Sequence, residues 1–245
     1  MQFRWGTDAS HEGRFTYEFP AEEQHRFPEL FASVASSYGF NNELLVSKPL
    51  EDVPFAVSRR FRQSDGGWPA YQIGLGVFTI NQGNLGYDWE SYRTAVVHGF
   101  EILTRCLREI YGETIPFIGV ELLYLDLFYL ENGETPQEFL RNKLLVELKA
   151  PPGFLNPSLM KPVLTSAMLH LEFELLKPIG TLIFEVNHED VSGRDGFMMD
   201  TRVRTIGPSI EYSTSGISEW LDEAHSVQRH AFETLIAPAY RKSLQ

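Results

Sequence analysis

Asp126 is the residue whose type and setting most invite chemistry. It is the lone carboxylate in the run 122–130, Leu-Leu-Tyr-Leu-Asp-Leu-Phe-Tyr-Leu. Apolar residues occupy both alternating positions there, which predicts a strand buried on both faces. A buried carboxylate must be paired or protonated, and carboxyls perturbed in this way gather at functional sites. The structural alternative is a bond to the backbone or to an arginine such as Arg93.

Other chemistry-bearing residues are less well placed. His225 and His230 are five apart, roughly 140° around a helix, so they do not form the i, i+4 pair of a helical metal site. His188-Glu189-Asp190 with Asp195 lacks the oxygen spacing of a calcium loop and reads as a solvated acidic turn. Cys106 falls on or beside the apolar stripe of a helix, where a thiol is an inert small hydrophobe. As the single cysteine, it excludes an intrachain disulfide and a Cys-rich zinc module. Gly74-Leu75-Gly76 is followed by strand-like Val77–Ile80 where a phosphate-cradling loop needs a helix, so it reads as a bulge or close backbone approach. No Gly-x-Ser-x-Gly elbow occurs. No catalytic residue, metal ligand or cofactor is assigned.

The elements that must position Asp126 follow from periodicity. Arg14–Phe19 alternates as a short strand, while the first ten residues carry no period. A helix opens at Pro20, or at Pro28, and runs to about Tyr38, with Gly39 as its stop. Strand-like sequence from Asn41 to Asn81 is broken by the turn Ser64–Gly67. Trp89, Tyr92, Val96, Phe100, Leu103, Leu107 and Ile110 step as a long helix closed by Gly112. After the strand 117–130 comes a capping box at Thr135–Glu138, opening a helix to about Leu148. Pro151–Pro157 forms a loop, and 149–161 is a candidate exposed segment. Strands are expected over 165–176, 181–187 and 196–205, with a polar turn at 188–195. A last helix covers about Ser218 to Tyr240. Its stripe of Trp220, Ala224, Val227, Ala231 and Leu235, widened by Phe232 and Ile236, should face the core, leaving Asp222, Glu223 and Arg229 to water or a partner.

The two long helices read alike: Trp89 with His98-Gly-Phe100-Glu101-Ile-Leu103, and Trp220 with His230-Ala-Phe232-Glu233-Thr-Leu235. The repeat assigns His98 and His230 to packing. The fold class is therefore α+β: two related halves, each strand, helix, antiparallel strands and long helix, forming a joint curved sheet packed by the long helices. The 245 residues are expected to make a single compact domain of two pseudo-repeats, about 14–112 and 115–242.

Hydrophobic residues are 43% of the chain, enough for a real core, and the net charge is −12. The densest basic stretch is Arg59-Arg60-Phe61-Arg62, so direct nucleic-acid binding is not expected. No apolar run reaches the ~18 residues of a membrane span, and the N-terminus lacks a secretory signal pattern. The expectation is a soluble cytoplasmic protein.

Several stretches in order resemble a sporadically distributed prokaryotic family of about this length, without established activity. They are Gly76-Val-Phe-Thr-Ile-Asn81, Tyr87-x-Trp89, Leu123-Tyr124-Leu125-Asp126, Trp220-Leu-Asp222-Glu-Ala-His225 and Phe232-Glu-Thr-Leu235-Ile236, spanning 70–240. The third departs from the family pattern, with Leu123 for an Arg and Asp126 for an Asn. Patchy distribution implies mobile genes, as in defence and toxin–antitoxin systems. The resemblance thus implies a non-catalytic inhibitor, antitoxin or adaptor, partnered by another protein encoded nearby. A second hypothesis is a small-molecule binder in a cavity between sheet and helices, with Tyr124 and Asp126 as the ligand-binding pair. A third is an enzyme using Asp126 with a nearby His.

Overall fold

The computed structural model describes residues 1–9, 16–46, 53–83, 86–149, 151, 153–154, 156, 158–159, 161, 164–191 and 193–244. Its backbone is mixed α+β and divides into two compact units: Met1–Leu122 with Thr205–Asp222, and Leu123–Arg204 with Glu223–Gln245.

The first unit begins with a strand that the aperiodic reading of the first ten residues missed. β1 (Gln2–Trp5) buries Met1, Phe3 and Trp5 and turns Gln2 and Arg4 the other way, the two-residue period of a half-buried strand. The short β2 (Thr7–Asp8) and β3 (Tyr17–Glu18) pair with each other; the remainder of the expected 14–19 strand lies partly outside the described residues. α1 (Ala21–Ser37) starts after Pro20 and carries Pro28 inside it, so Pro28 does not begin the helix. The strands β4 (Asn42–Leu45), β5 (Val57–Arg62), β6 (Ala70–Gly74) and β7 (Val77–Asn81) follow, then the long α2 (Trp89–Tyr111), capped by Asp88 and ended at Gly112. In this unit the strand order is β4-β5-β6-β7-β1-β8, where β8 is Phe117–Tyr129. Its core is aromatic: Phe27, Phe31, Phe61, Phe78 and Phe100 are each at most 1% exposed, and Phe31 meets Phe61 and Phe78 at ring separations of 5.3 Å.

Gly74-Leu75-Gly76 is neither bulge nor phosphate loop but the turn of the β6–β7 hairpin, in register from Gly74 opposite Val77. Gly76 takes φ +70°, a left-handed conformation open to glycine. The close approach expected there is real at Gly74, where a Cβ would lie 1.8 Å from the Ala56 carbonyl oxygen. The irregularity sits on the partner strand, between Val57 and Arg59.

The second unit orders its strands β8-β11-β10-β9, with β9 at Met168–Leu175, β10 at Gly180–Val191 and β11 at Arg194–Ile206. The expected polar loop 188–195 is a tight hairpin instead. Both strands run almost to its tip, Val191 opposite Arg194, and Asp190 accepts the Gly193 N–H at 2.6 Å. α3 (Pro136–Asn142) has the capping box expected at Thr135 and Glu138 but stops six residues early. Leu144 then turns into the core, and Leu145 adopts φ +51°. Within this core Phe128, Phe139, Phe184, Phe197 and Met199 pack together with Ile236.

α4 (Thr214–Leu235) contributes its start to the first unit and the rest to the second. It ends before Pro238, which opens the separate short helix α5 (Pro238–Ser243). A single helix to Tyr240 fails because proline in an interior turn has no N–H and collides with the preceding turn. The buried stripe keeps Trp220 and Ala224, adds Leu221 and Gln228, and leaves Val227, Ala231, Phe232 and Leu235 only half-buried.

Candidate functional site

The double-faced burial expected for β8 holds only for its first half. From Leu123 onward the strand alternates: Leu123, Leu125 and Leu127 are exposed, whereas Tyr124 and Asp126 are half-buried and Phe128 is buried. Period-two geometry therefore puts Tyr124, Asp126 and Phe128 on one face. Phe128 belongs to the core of the second unit and fixes that face as the inner one.

Tyr124 reaches α4, its hydroxyl 2.7 Å from Nδ1 of His225, with the rings meeting edge to face. One turn along α4, buried Gln228 donates to the Thr201 carbonyl of β11 at 2.6 Å. Tyr124 and Asp126 thus form a polar strip on the inner face of β8, with His225 hydrogen-bonded at its Tyr124 end. The sequence presents His225 only as one of two histidines with the wrong spacing for a helical metal site. Its contact with Tyr124 is legible in no motif, because a separation of 101 residues in sequence is closed by tertiary packing alone.

Asp126 is not paired with an arginine. Arg93 is engaged by Asp222 through two hydrogen bonds of 2.7 and 2.8 Å, and also by the Ser218 hydroxyl. Among the described residues none donates a hydrogen bond to the Asp126 carboxyl. Burial alone pushes its pKa from the ordinary 3.8 to about 6. A carboxyl tuned near neutrality can hold or release a proton at working pH, which a salt-bridged aspartate cannot.

The same shift makes a stability prediction. With the folded pKa raised, the ionised form carries a cost that is absent below about pH 4, grows between pH 4 and 6, and persists above. Asp126→Asn removes that cost. The variant should be more stable than the parent by about 3 kcal/mol at pH 7.5 and equal to it at pH 4. Paired thermal melts at the two pH values check this. A lower melting temperature for Asp126→Asn at pH 7.5 would mean that the carboxylate is held by a favourable partner.

The remaining sequence candidates separate from this strip. Cys106 is fully buried and its thiol is pushed up to about 12 by desolvation, so it has no nucleophilic character. His98 and His230 are both exposed, which overturns their assignment to packing. His188 lies 2.6 Å from Asp195 across the β10–β11 hairpin. Among the described residues no three His, Cys, Asp or Glu side chains gather as a metal site. An open cleft of about 510 Å³ between α2 and the start of α4 is lined by Arg93, Thr94, His98, Thr214, Ser215 and Ser218. Its guanidinium is already held by Asp222.

No protein-family model, curated protein sequence or solved structure matches this chain. No described helix is long and apolar enough to cross a membrane.

Proposed function

We propose that the protein is a non-catalytic protein-interaction component, an inhibitor, antitoxin or adaptor, acting in the cytoplasm within a prokaryotic defence or toxin–antitoxin type system. The setting comes from the family resemblance, and another protein, encoded nearby, is its partner. One structural observation carries the interaction reading. On the outer face of β8, past the residues 117–121 that pair with β1, Leu123, Leu125 and Leu127 stand 40, 54 and 45% exposed in a row. A strand with one face to water ordinarily alternates apolar-in with polar-out. Three consecutive outward leucines make an apolar stripe of the kind that marks interaction surfaces. The net charge of −12 favours a basic partner rim around that stripe.

Co-expression with the neighbouring genes tests this, using Leu125→Glu as the probe. The expected result is a stoichiometric complex with the parent chain and at least a tenfold loss of affinity with Leu125→Glu. Its melting temperature should stay unchanged, because the residue is already in water. A complex retained in full by Leu125→Glu would remove the stripe from the interface.

The same reading takes the chain as two related halves sharing a joint sheet. The succession strand, helix, antiparallel strands, long helix occurs within 14–112 as β3, α1, β4–β7, α2 and within 115–242 as β8, α3, β9–β11, α4. That repetition of order supports the duplication suggested by the Trp and His positions.

A small-molecule binder is the second reading, favoured by the Tyr124–His225 hydrogen bond and the near-neutral Asp126 on the same strand face. Under it, Asp126→Asn would abolish activity in cells while leaving the partner complex intact.

A further inference from the structure

β9 ends the strand order of its sheet, pairing with β10 on one side; among the described residues no strand pairs with its other side. Exposed sheet edges are normally blunted by lysine, proline, a bulge or extreme shortness. β9 is eight residues long, reads Met-Leu-His-Leu-Glu-Phe-Glu-Leu, and its register with β10 is unbroken from Met168 to Leu175.

Which backbone groups face the open side follows from the ladder. The His188 N–H donates to the Ala167 carbonyl, and Leu171 stands opposite Phe184 in the same register. Hydrogen-bonded pairs recur at every second residue of an antiparallel ladder. Leu169, Leu171, Phe173 and Leu175 therefore spend their amides on β10. Met168, His170, Glu172 and Glu174 present theirs outward. Leu171 and Phe173, on the inner face, remain 38 and 51% exposed, too much for apolar residues that the edge alone should cover.

We propose that this edge pairs antiparallel with β9 of a second copy of the chain, about a two-fold axis at Leu171. This centre lies near the middle of the strand and opposes unlike side chains across it. Leu171 then meets Leu171, and Leu169 meets Phe173. His170 faces Glu172 twice, the direct cross-strand placement in which opposite charges stabilise. A centre at Glu172 would oppose two carboxylates, and one at His170 two imidazoles. His170 is already held between Glu185 at 2.7 Å and Glu172 at 3.1 Å, carboxylates that favour its protonated form. The outward amides of the two strands supply about eight new hydrogen bonds, and the contact is isologous, so it closes at two copies.

Light scattering on the full chain at tens of micromolar should give twice the 28.0 kDa chain mass. Leu171→Lys should give the single-chain mass and melt like the parent diluted to its monomer, because the side chain is already part-exposed in the single chain. The register is read by cross-linking. The native thiol, Cys106, is buried, so Leu171→Cys should form a disulfide-linked dimer under mild oxidation. Phe173→Cys should not, its two copies lying about 13 Å apart. A monomeric parent, a dimer untouched by Leu171→Lys, or equal cross-linking at 171 and 173 would each overturn the proposal.

Discussion

Trp220→Ala should lower stability by about 3–5 kcal/mol, a large part of the 5–15 available to an ordinary fold. The indole is 5% exposed and its N–H donates to the buried Thr205 hydroxyl at 2.9 Å. Alanine therefore leaves a cavity and removes the indole hydrogen bond to Thr205. Trp220→Phe refills most of the volume but not the hydrogen bond, and should fall between. Urea denaturation followed by far-ultraviolet circular dichroism reads all three proteins. A parental midpoint for Trp220→Ala would mean that the first turns of α4 are not part of a core. The matching change at Trp89 should be milder, because that ring is only half-buried, whereas Phe100→Ala, at a fully buried ring, should approach the Trp220 result. Alanine at Asp222 or Arg229 should cost no more than about 1 kcal/mol each, as expected of part-exposed ion pairs.

The second large effect centres on Glu23, which periodicity assigns only to the first turn of α1. The side chain is 1% exposed. One oxygen accepts the Trp5 indole N–H at 3.0 Å and the Gly76 amide at 3.1 Å; the other accepts the Tyr111 hydroxyl. One carboxylate thus ties β1, the β6–β7 turn and the end of α2 to α1. Desolvation raises its pKa, and the three hydrogen bonds lower it in part. Glu23→Ala leaves three buried donors unmatched, at about 1–3 kcal/mol each, and should bring the protein close to unfolding. Glu23→Gln keeps an acceptor for Trp5 and Gly76 and can donate to the Tyr111 oxygen. It should melt near the parent at pH 7. Glu23→Gln as damaging as Glu23→Ala would show that the charge itself, not the acceptor geometry, holds these elements.

Legibility in the sequence tracked how local the physics is. α2 is plain because Tyr92, Val96, Phe100, Leu103 and Leu107 mark one face for about four turns, with Gly112 as its stop. The α3 capping box was equally plain, being complete within four residues. β1 is not legible: Met1, Phe3 and Trp5 alternate with Gln2 and Arg4, but the pattern is too short to weigh without its neighbours. In β8 a row of leucines announces apolar side chains on both faces, but whether anything covers the outer face is decided elsewhere in the chain. Asp126 stands out because a lone charge in an apolar run is a local fact. Its solvation, and the reach of Tyr124 to His225, depend on where α4 settles, which no spacing along the chain encodes.

The segment Thr205–Asp222 belongs with Met1–Leu122, although some eighty residues of the other unit intervene. During synthesis the amino-terminal unit must therefore wait, incomplete, while those residues are translated. At about 5–20 residues per second the delay is on the order of ten seconds. Throughout it, the surface completed by Thr205–Asp222, including the Phe117 ring that stacks on Tyr212, stays uncovered and open to a chaperone. Nascent chains stalled after residue 122 should be digested by protease, and those stalled well beyond 222 should resist.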